Sequence, residues 1–239
     1  MELKIIARIR TDFPEKFGLP RQSGLVGELG GKIVFEPEYS SRDALRGLEG
    51  YSHIWIIWGF SERFASRSGK NASFSPTVRP PRLGGNKRVG VFATRSPNRP
   101  NPIALSVVKL DGICEDGSLS VSGIDMTDMT PVYDIKPYLP HIDSVPDARG
   151  GFACEVSGER LEVVFPDEFY RMIPAEKRSA LVKCLADDPR PQYQNDGREY
   201  FMSYAGHDIV FGVKGSTLTV TSVSKTAGAL SEKQNALTA

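Results

Sequence analysis

The chain has 239 residues, a formal net charge of +1 and the composition of an ordinary water-soluble protein. That length can bury one large domain, or one domain plus a smaller one. The first ten residues, MELKIIARIR, carry charge throughout and do not resemble a secretory signal, and the apolar run IWIIWGF at 54–60 is too short to span a bilayer. We therefore expect a cytoplasmic protein.

Cysteine and histidine are few and scattered. Cys114, Cys154 and Cys184 are widely spaced without a CxxC motif, and the three histidines form neither HExxH nor HxH. Neither a disulfide framework nor a bound metal is therefore expected.

Eight short apolar or β-branched segments, separated by turn residues, lie between residues 2 and 166. In chain order they are ELKIIARI, KIVFEP, HIWIIWGF, RVGVFAT, PIALSVVKL, SLSVSGI, PVYDIKPY and RLEVVFP. Such repetition predicts a mainly β fold, an antiparallel sheet that closes or nearly closes into a β-barrel over roughly residues 1–140. One early segment, SRDALRGL at 41–48, favours a short helix that begins at a serine cap.

The pattern changes after the turn-rich stretch HIDSVPDARGGF. Residues 174–186 predict a helix with Pro174 in its first turn and Ala180, Leu181, Cys184 and Leu185 on one face. Three strand-like pieces follow: REYFMSY, HDIVFGV and STLTVTSV. We predict a barrel domain over residues 1–148, a small α+β domain over 149–225 and a flexible tail over 226–239.

Charge is distributed unevenly. Residues 63–110 contain ten Lys or Arg and no Asp or Glu, whereas residues 111–150 contain eight acids against Lys136 and Arg149. A basic block beside an acidic block favours a surface for a polyanion next to a pocket for a cation, although solvated strand faces would give the same pattern. Neither GxGxxG nor GxxxxGK[ST] is present, so a Rossmann-type nucleotide site is not expected.

The stretch RSPNRPNP at 95–102 is stiff and basic. Each proline fixes φ and favours extended backbone before it, so Arg95 and Arg99 can present their guanidinium groups to a carboxylate or phosphate at low entropic cost. A rigid barrel corner with exposed arginines is the alternative. Its acidic counterpart is DMTDMTPVYDIKPYLP at 125–140, where Asp125 and Asp128 suit either a ligand amine or the capping of turn amides.

Five segments together are similar to one family. They are PRQSGL, YSHIWIIW, PTVRPPRLGGN, GVFATRSPNRPNPIALS and TPVYDIKPYLP, and DPRPQY at 188–193 resembles a motif of the family's bacterial C-terminal domain. The family comprises the tRNA methyltransferases that methylate N6 of N6-threonylcarbamoyladenosine beside the anticodon. The resemblance implies a non-Rossmann β-barrel enzyme that uses S-adenosylmethionine, is usually a homodimer and binds the cofactor near the subunit interface.

The resemblance also implies site residues. Cofactor contacts fall in the loop 20–24 (the first loop), after the Trp-rich strand, in the stretch 95–102 (the proline loop), on the next strand and in the turn 125–129 (the acidic turn). They are Arg21, Gln22, Ser23, Ser61, Glu62, Arg95, Leu105, Asp125, Met126, Thr127 and Asp128. Relatives often have His-Gln at Ser61-Glu62. They also commonly have glycine at Met129, which would require a reshaped loop if that position has a positive φ.

The chemistry of methyl transfer assigns further roles. The acceptor nitrogen is a weakly nucleophilic urea-type N–H, so a base or a water relay to one is needed, and Asp128, Glu62 and Tyr133 are unranked candidates. Arg99, Arg82 or Arg79 would pair with the threonyl carboxylate of the substrate, and Lys87 and Arg88 would follow the anticodon-stem phosphates. The C-terminal unit would contact tRNA or the partner subunit. Two alternatives stay open: a non-enzymatic RNA-binding barrel, and a methyltransferase of the same fold with a different acceptor.

Overall fold

The computed structural model describes residues 2–60, 75–80, 83, 87–155, 160–190 and 197–226. Its first part is a closed six-stranded barrel in the order β1–β2–β7–β6–β3–β8, with every neighbouring pair antiparallel. A two-stranded ribbon of β4 and β5 lies beside it. The bounds are β1 (Ala7–Thr11), β2 (Gly30–Phe35), β3 (His53–Gly59), β4 (Thr77–Val78), β5 (Val89–Gly90), β6 (Ile103–Ile113), β7 (Leu119–Ser122) and β8 (Thr130–Pro137). The predicted barrel is thus confirmed.

Alternation along the strands fills the barrel. Ile54, Ile56 and Trp58 on β3 are buried while the residues between them are partly exposed, as period-two side-chain geometry requires. The same alternation buries Val108 and Leu110 on β6. Closure removes the free sheet edges, so each strand satisfies its backbone groups on both sides.

Three local predictions were wrong. RVGVFAT is not a barrel strand, because Val91–Ala93 forms a 3₁₀ turn that the Thr94 N–H closes onto the carbonyl of Val91 at 3.1 Å. RLEVVFP supplies a strand of the second sheet instead of the barrel. The segment 41–48 does not form one helix, because Gly47, at a φ of 88°, separates two 3₁₀ turns.

The C-terminal unit contains a four-stranded sheet in the order β10–β11–β12–β9, in which β9 is parallel to β12. The strand bounds are β9 (Glu162–Val164), β10 (Glu199–Tyr204), β11 (His207–Lys214) and β12 (Thr217–Lys225). Helix α1 (Pro140–Asp143) directly follows the barrel strand β8. The later helices are α2 (Phe152–Glu155), α3 (Asp167–Tyr170) and α4 (Ala175–Ala186). Helix α4 confirms the helix predicted for 174–186, including its four buried residues. The predicted tail lies almost entirely outside the described residues.

The two units share one hydrophobic core. The rings of Phe13 and Tyr204 lie 4.9 Å apart, and Lys177 Nζ contacts Asp12 Oδ2 at 2.5 Å. Gly18 packs so tightly that a Cβ there would lie 2.5 Å from the Met202 methyl, and its φ of 87° also favours glycine. The loop after β1 is therefore held between the barrel and the C-terminal sheet.

Within the described parts of the chain, every helix is too short or too polar to cross a membrane.

Candidate active site

A cleft of about 1030 Å³ opens where the two units meet. Its walls are the loop 14–22, the proline loop, the start of β6 and the turn after α4, and Trp58, Asp125 and Thr127 also line it. Cavities of this size accept drug-sized ligands. Four segments that are distant in the sequence thus meet around one space.

Asp125 is a partly buried charged residue of the cleft. The Ser106 hydroxyl donates to Asp125 Oδ1 at 2.7 Å and accepts a bond from the Trp58 indole N–H at 2.9 Å. The Ser23 backbone N–H also donates to the carboxylate, and Arg95 attracts it electrostatically. Burial outweighs these contacts and raises the pKa of Asp125 above its usual value. A raised pKa in a cleft is typical of a functional group.

The loop 20–24 is tied to this network. Gly24 N–H donates to the Gly123 carbonyl at 2.8 Å, and the Gln22 amide nitrogen donates to the Arg21 carbonyl at 2.7 Å. Gln22 Oε1 accepts a bond from Arg95 Nη1. The first loop and the proline loop are therefore connected side chain to side chain.

Local hydrogen bonds stiffen the proline loop. The hydroxyls of Thr94 and Ser96 each accept a bond from the backbone N–H two residues on, at 3.2 Å in both cases. Arg99 Nη1 donates to the Thr94 carbonyl at 3.0 Å. The stiffness predicted from prolines is reinforced by these turns, and both arginines line the cleft.

The structure brings together seven of the predicted site residues on the cleft lining: Arg21, Gln22, Arg95, Arg99, Leu105, Asp125 and Thr127. Ser23 reaches the cleft network through its backbone N–H. These residues come from the first loop, the proline loop, β6 and the acidic turn.

Other predicted residues lie away from the described cleft lining. Met126 is buried in the core, at 1 % exposure. Asp128 Oδ1 accepts the Thr11 N–H at 3.0 Å and lies 3.2 Å from Arg10 Nε, so this carboxylate ties the acidic turn to β1. Tyr133 is the residue displaced by a bulge between β3 and β8, and its hydroxyl lies against Gly59.

Six further predicted residues lie between positions 61 and 88, and the structure describes three of them. Arg79, Lys87 and Arg88 are exposed beside the β4–β5 ribbon, where Arg88 Nε donates to the Thr77 hydroxyl at 2.8 Å. Ser61, Glu62 and Arg82 lie outside the described residues.

Met129 itself has a φ of 62°, in the region that glycine favours. The acidic turn therefore has a left-handed backbone at this position even though the residue is methionine. The Met129 N–H donates to the Ile9 carbonyl at 2.8 Å and holds this conformation. Such a conformation costs a non-glycine residue about 1–2 kcal/mol.

Sequence reasoning did not assign Ser106, Trp58 or the turn at 187–190 to the site, although it noted the motif DPRPQY at 188–193. Ser106 is a polar residue at an inward position of β6, only 2 % exposed, and this break in the apolar alternation was the available signal. Among the described residues, no group of three His, Cys, Asp or Glu side chains could hold a metal ion.

Comparison with known proteins adds family matches to this geometry. The model of the tRNA-methyltransferase O N-terminal domain matches residues 8–144, and that of the TrmO C-terminal domain matches residues 158–226.

Individual relatives agree over both units. The chain is 43 % identical over 209 residues to the tRNA (adenine(37)-N6)-methyltransferase of Escherichia coli, covering 84 % of this chain and 86 % of the relative. It is 41 % identical over 204 residues to a putative S-adenosylmethionine-dependent methyltransferase of Pseudomonas aeruginosa, covering 82 % and 85 %. A crystal structure of TrmO from Pseudomonas aeruginosa superposes with a TM-score of 0.72 at 33 % identity, covering 94 % of this chain and 98 % of that one.

Proposed function

Since the chain belongs to the tRNA-methyltransferase O family, we propose that it methylates N6 of N6-threonylcarbamoyladenosine at tRNA position 37 with S-adenosylmethionine. The two family matches confirm the resemblance that the sequence segments indicated. The observation that carries the proposal is the match over both units together with a cleft lined by Arg99 and by six residues that the resemblance had assigned.

The cleft suits the proposed cofactor. S-adenosylmethionine supplies the methyl group and carries positive charge on its sulfonium and amino groups. Asp125 offers a buried carboxylate to such a cation, while Leu19, Ala104 and Leu105 offer apolar surface to the adenine. We therefore propose that the first loop, Arg95, Leu105, Asp125 and Thr127 bind the cofactor.

The acceptor nitrogen must lose a proton as it reacts, and the base stays a proposal. Of the three candidates, Asp128 is engaged with Thr11 and Arg10, and Tyr133 packs on Gly59. Glu62 lies outside the described residues.

Arg99 is proposed to recognise the threonyl carboxylate. It lines the cleft, and its bond to the Thr94 carbonyl orients the guanidinium and uses one of its five N–H donors. Arg79, Lys87 and Arg88 precede the proline loop in the sequence and are exposed. We propose that they contact tRNA phosphates and that Arg82 does so too.

We propose that the protein forms a homodimer through the apolar outer face of the barrel. Leu105 and Ile103 on β6 are 51 % and 39 % exposed, and Ile142 and Val145 at α1 are 64 % and 66 % exposed. The Trp55 indole, on the outer face of β3, donates to Asp143 Oδ2 at 2.9 Å and so connects α1 with this face. A second copy would cover these residues at the edge of the cleft, whose lining includes Ile103 and Leu105. Light scattering tests this, and a monomeric mass would contradict it. We place the enzyme in the cytoplasm with its tRNA substrate.

Nucleoside mass spectrometry tests the function directly. Loss of the gene should remove the methyl group from threonylcarbamoyladenosine, and purified protein should restore it with S-adenosylmethionine. Calorimetry separates the alternatives: an RNA-binding barrel without activity would not bind the cofactor. A protein with a different acceptor would bind it and leave the modified nucleoside unchanged.

A further inference from the structure

The turn after α4 forms a closed unit at the edge of the cleft. Asp188 has a φ of 46°, which few residues other than glycine adopt. Its carboxylate accepts bonds from Arg190 Nε and Nη2, both at 2.9 Å, and from the Arg190 backbone N–H at 3.2 Å. With side chains only 28 % and 11 % exposed, this two-pronged pair fixes the turn in a strained conformation.

The Arg21 side chain, in the loop after β1, contacts this turn twice. Arg21 Nη2 donates to the carbonyl of Asp188 at 3.2 Å and to the carbonyl of Arg190 at 3.1 Å. The Asp188–Arg190 pair closes the turn that presents these two carbonyls to one guanidinium nitrogen. We call the turn, residues 187–190, the latch.

The residues that follow Arg21 depend on its position. Gln22 accepts from Arg95, and the Ser23 N–H donates to the Asp125 carboxylate. Besides the latch, these contacts and the Gly24–Gly123 bond connect the loop 20–24 to the described part of the barrel. A displaced loop would remove a hydrogen-bond donor from the buried carboxylate of the cleft.

We propose that the latch of the C-terminal unit positions the first loop for cofactor binding and that Arg21 is a positioning residue which acts through it. This inference rests on the proposed function, because it assigns the cleft to S-adenosylmethionine. It gives the C-terminal unit a role within the cofactor site of the same chain, in addition to any contact with tRNA.

Arg190 provides the test, because it belongs to the latch but is absent from the described cleft lining. Calorimetry with S-adenosylmethionine should show that Arg190→Gln and Arg21→Gln each weaken binding about 10-fold or more, the scale of a lost charge-assisted hydrogen bond. The double variant should bind little worse than either single variant, because both remove the same constraint. Arg190→Lys, which keeps the charge but loses the fork, should be intermediate.

The matched control is Lys183→Met. It removes the ion pair between Lys183 and Glu28, another contact between the two units, and should leave cofactor affinity unchanged. If Arg21→Gln loses affinity while Arg190→Gln does not, Arg21 contacts the cofactor directly and the latch is overturned. Equal loss in Lys183→Met would assign the effect to general docking of the units and would overturn it too.

Hydrogen exchange separates failure of this inference from failure of the proposed function. In the protein without ligand, the amides of Ser23 and Gly24 should exchange faster in Arg190→Gln than in the unaltered chain or in Lys183→Met. Unaltered protection would overturn the latch. If the unaltered chain does not bind S-adenosylmethionine at all, the proposed function fails, while the exchange result still decides whether the latch holds the loop.

Discussion

Ser106→Ala removes the hydroxyl that connects Trp58 to Asp125. Ser106 is 2 % exposed and Trp58 is 7 % exposed, so water does not replace the lost partner at either position. The indole N–H left without an acceptor costs about 1–3 kcal/mol, and the lost bond to the carboxylate, at 2.7 Å, is worth about 1.5–3 kcal/mol. Because Asp125 keeps the Ser23 N–H, we expect a total loss of about 2–4 kcal/mol in the free energy of unfolding.

The same change has a second effect on ligand binding. The bond from Ser106 lowers the pKa of Asp125, so its removal raises that pKa further. Cofactor affinity that depends on the ionised carboxylate should then fall at a higher pH in the variant than in the unaltered protein. Urea denaturation measures the first effect, and calorimetry from about pH 5 to about pH 8 measures the second.

Ser118→Ala is the matched control. Ser118 is also buried, at 3 %, and its hydroxyl donates to Asp116 away from the cleft. It should reduce stability without moving the pH profile of cofactor binding. If Ser106→Ala had unaltered stability and an unaltered profile, the Trp58–Ser106–Asp125 chain would not organise the site.

Three further changes test the site and its turn. Burial raises the pKa of Asp125, so folding favours its protonated form and the ionised carboxylate lowers stability above the folded pKa. Asp125→Asn should therefore raise Tm at neutral pH and abolish cofactor binding. A lower Tm would contradict this. Met129→Gly should be about 1 kcal/mol more stable than Met129→Ala in urea, since both lose the side chain and only glycine relieves the φ of 62°; equal stabilities would count against strain. Arg99→Ala should lose the preference for threonylcarbamoylated tRNA in methyl-transfer assays while keeping cofactor affinity; a collapse of that affinity would place Arg99 in the cofactor site.

The barrel was predictable because its information is local. Alternation of apolar residues along β3 and β6 fixes which side chains face inward, and that signal can be read from the sequence. The segment RVGVFAT shows the limit: its composition suits a strand, but a 3₁₀ turn at Val91–Ala93 prevails once Thr94 closes it. Propensity alone does not separate these outcomes.

The site was predictable only where one segment carries the signal. Arg95 and Asp125 lie in distinctive loops, and the family resemblance assigned them to the cofactor. The contact of Arg21 with Asp188 joins residues 167 positions apart, so no spacing rule predicts it. The Trp58–Ser106 bond likewise depends on the antiparallel pairing of β3 with β6, which brings residues 48 positions apart together.

Asp125 connects the stability of the protein to its ligand. Its carboxylate accepts bonds from Ser106 and Ser23 and is attracted by Arg95, yet burial still raises its pKa. The ionised carboxylate is therefore incompletely compensated in the free protein, and a cationic ligand would offset its charge. Binding should consequently stabilise the fold more at neutral pH than in acid, where the carboxylate is protonated. A neutral ligand of the same shape would lack this advantage, so the buried acid favours a cation in the cleft before any contact with tRNA is made.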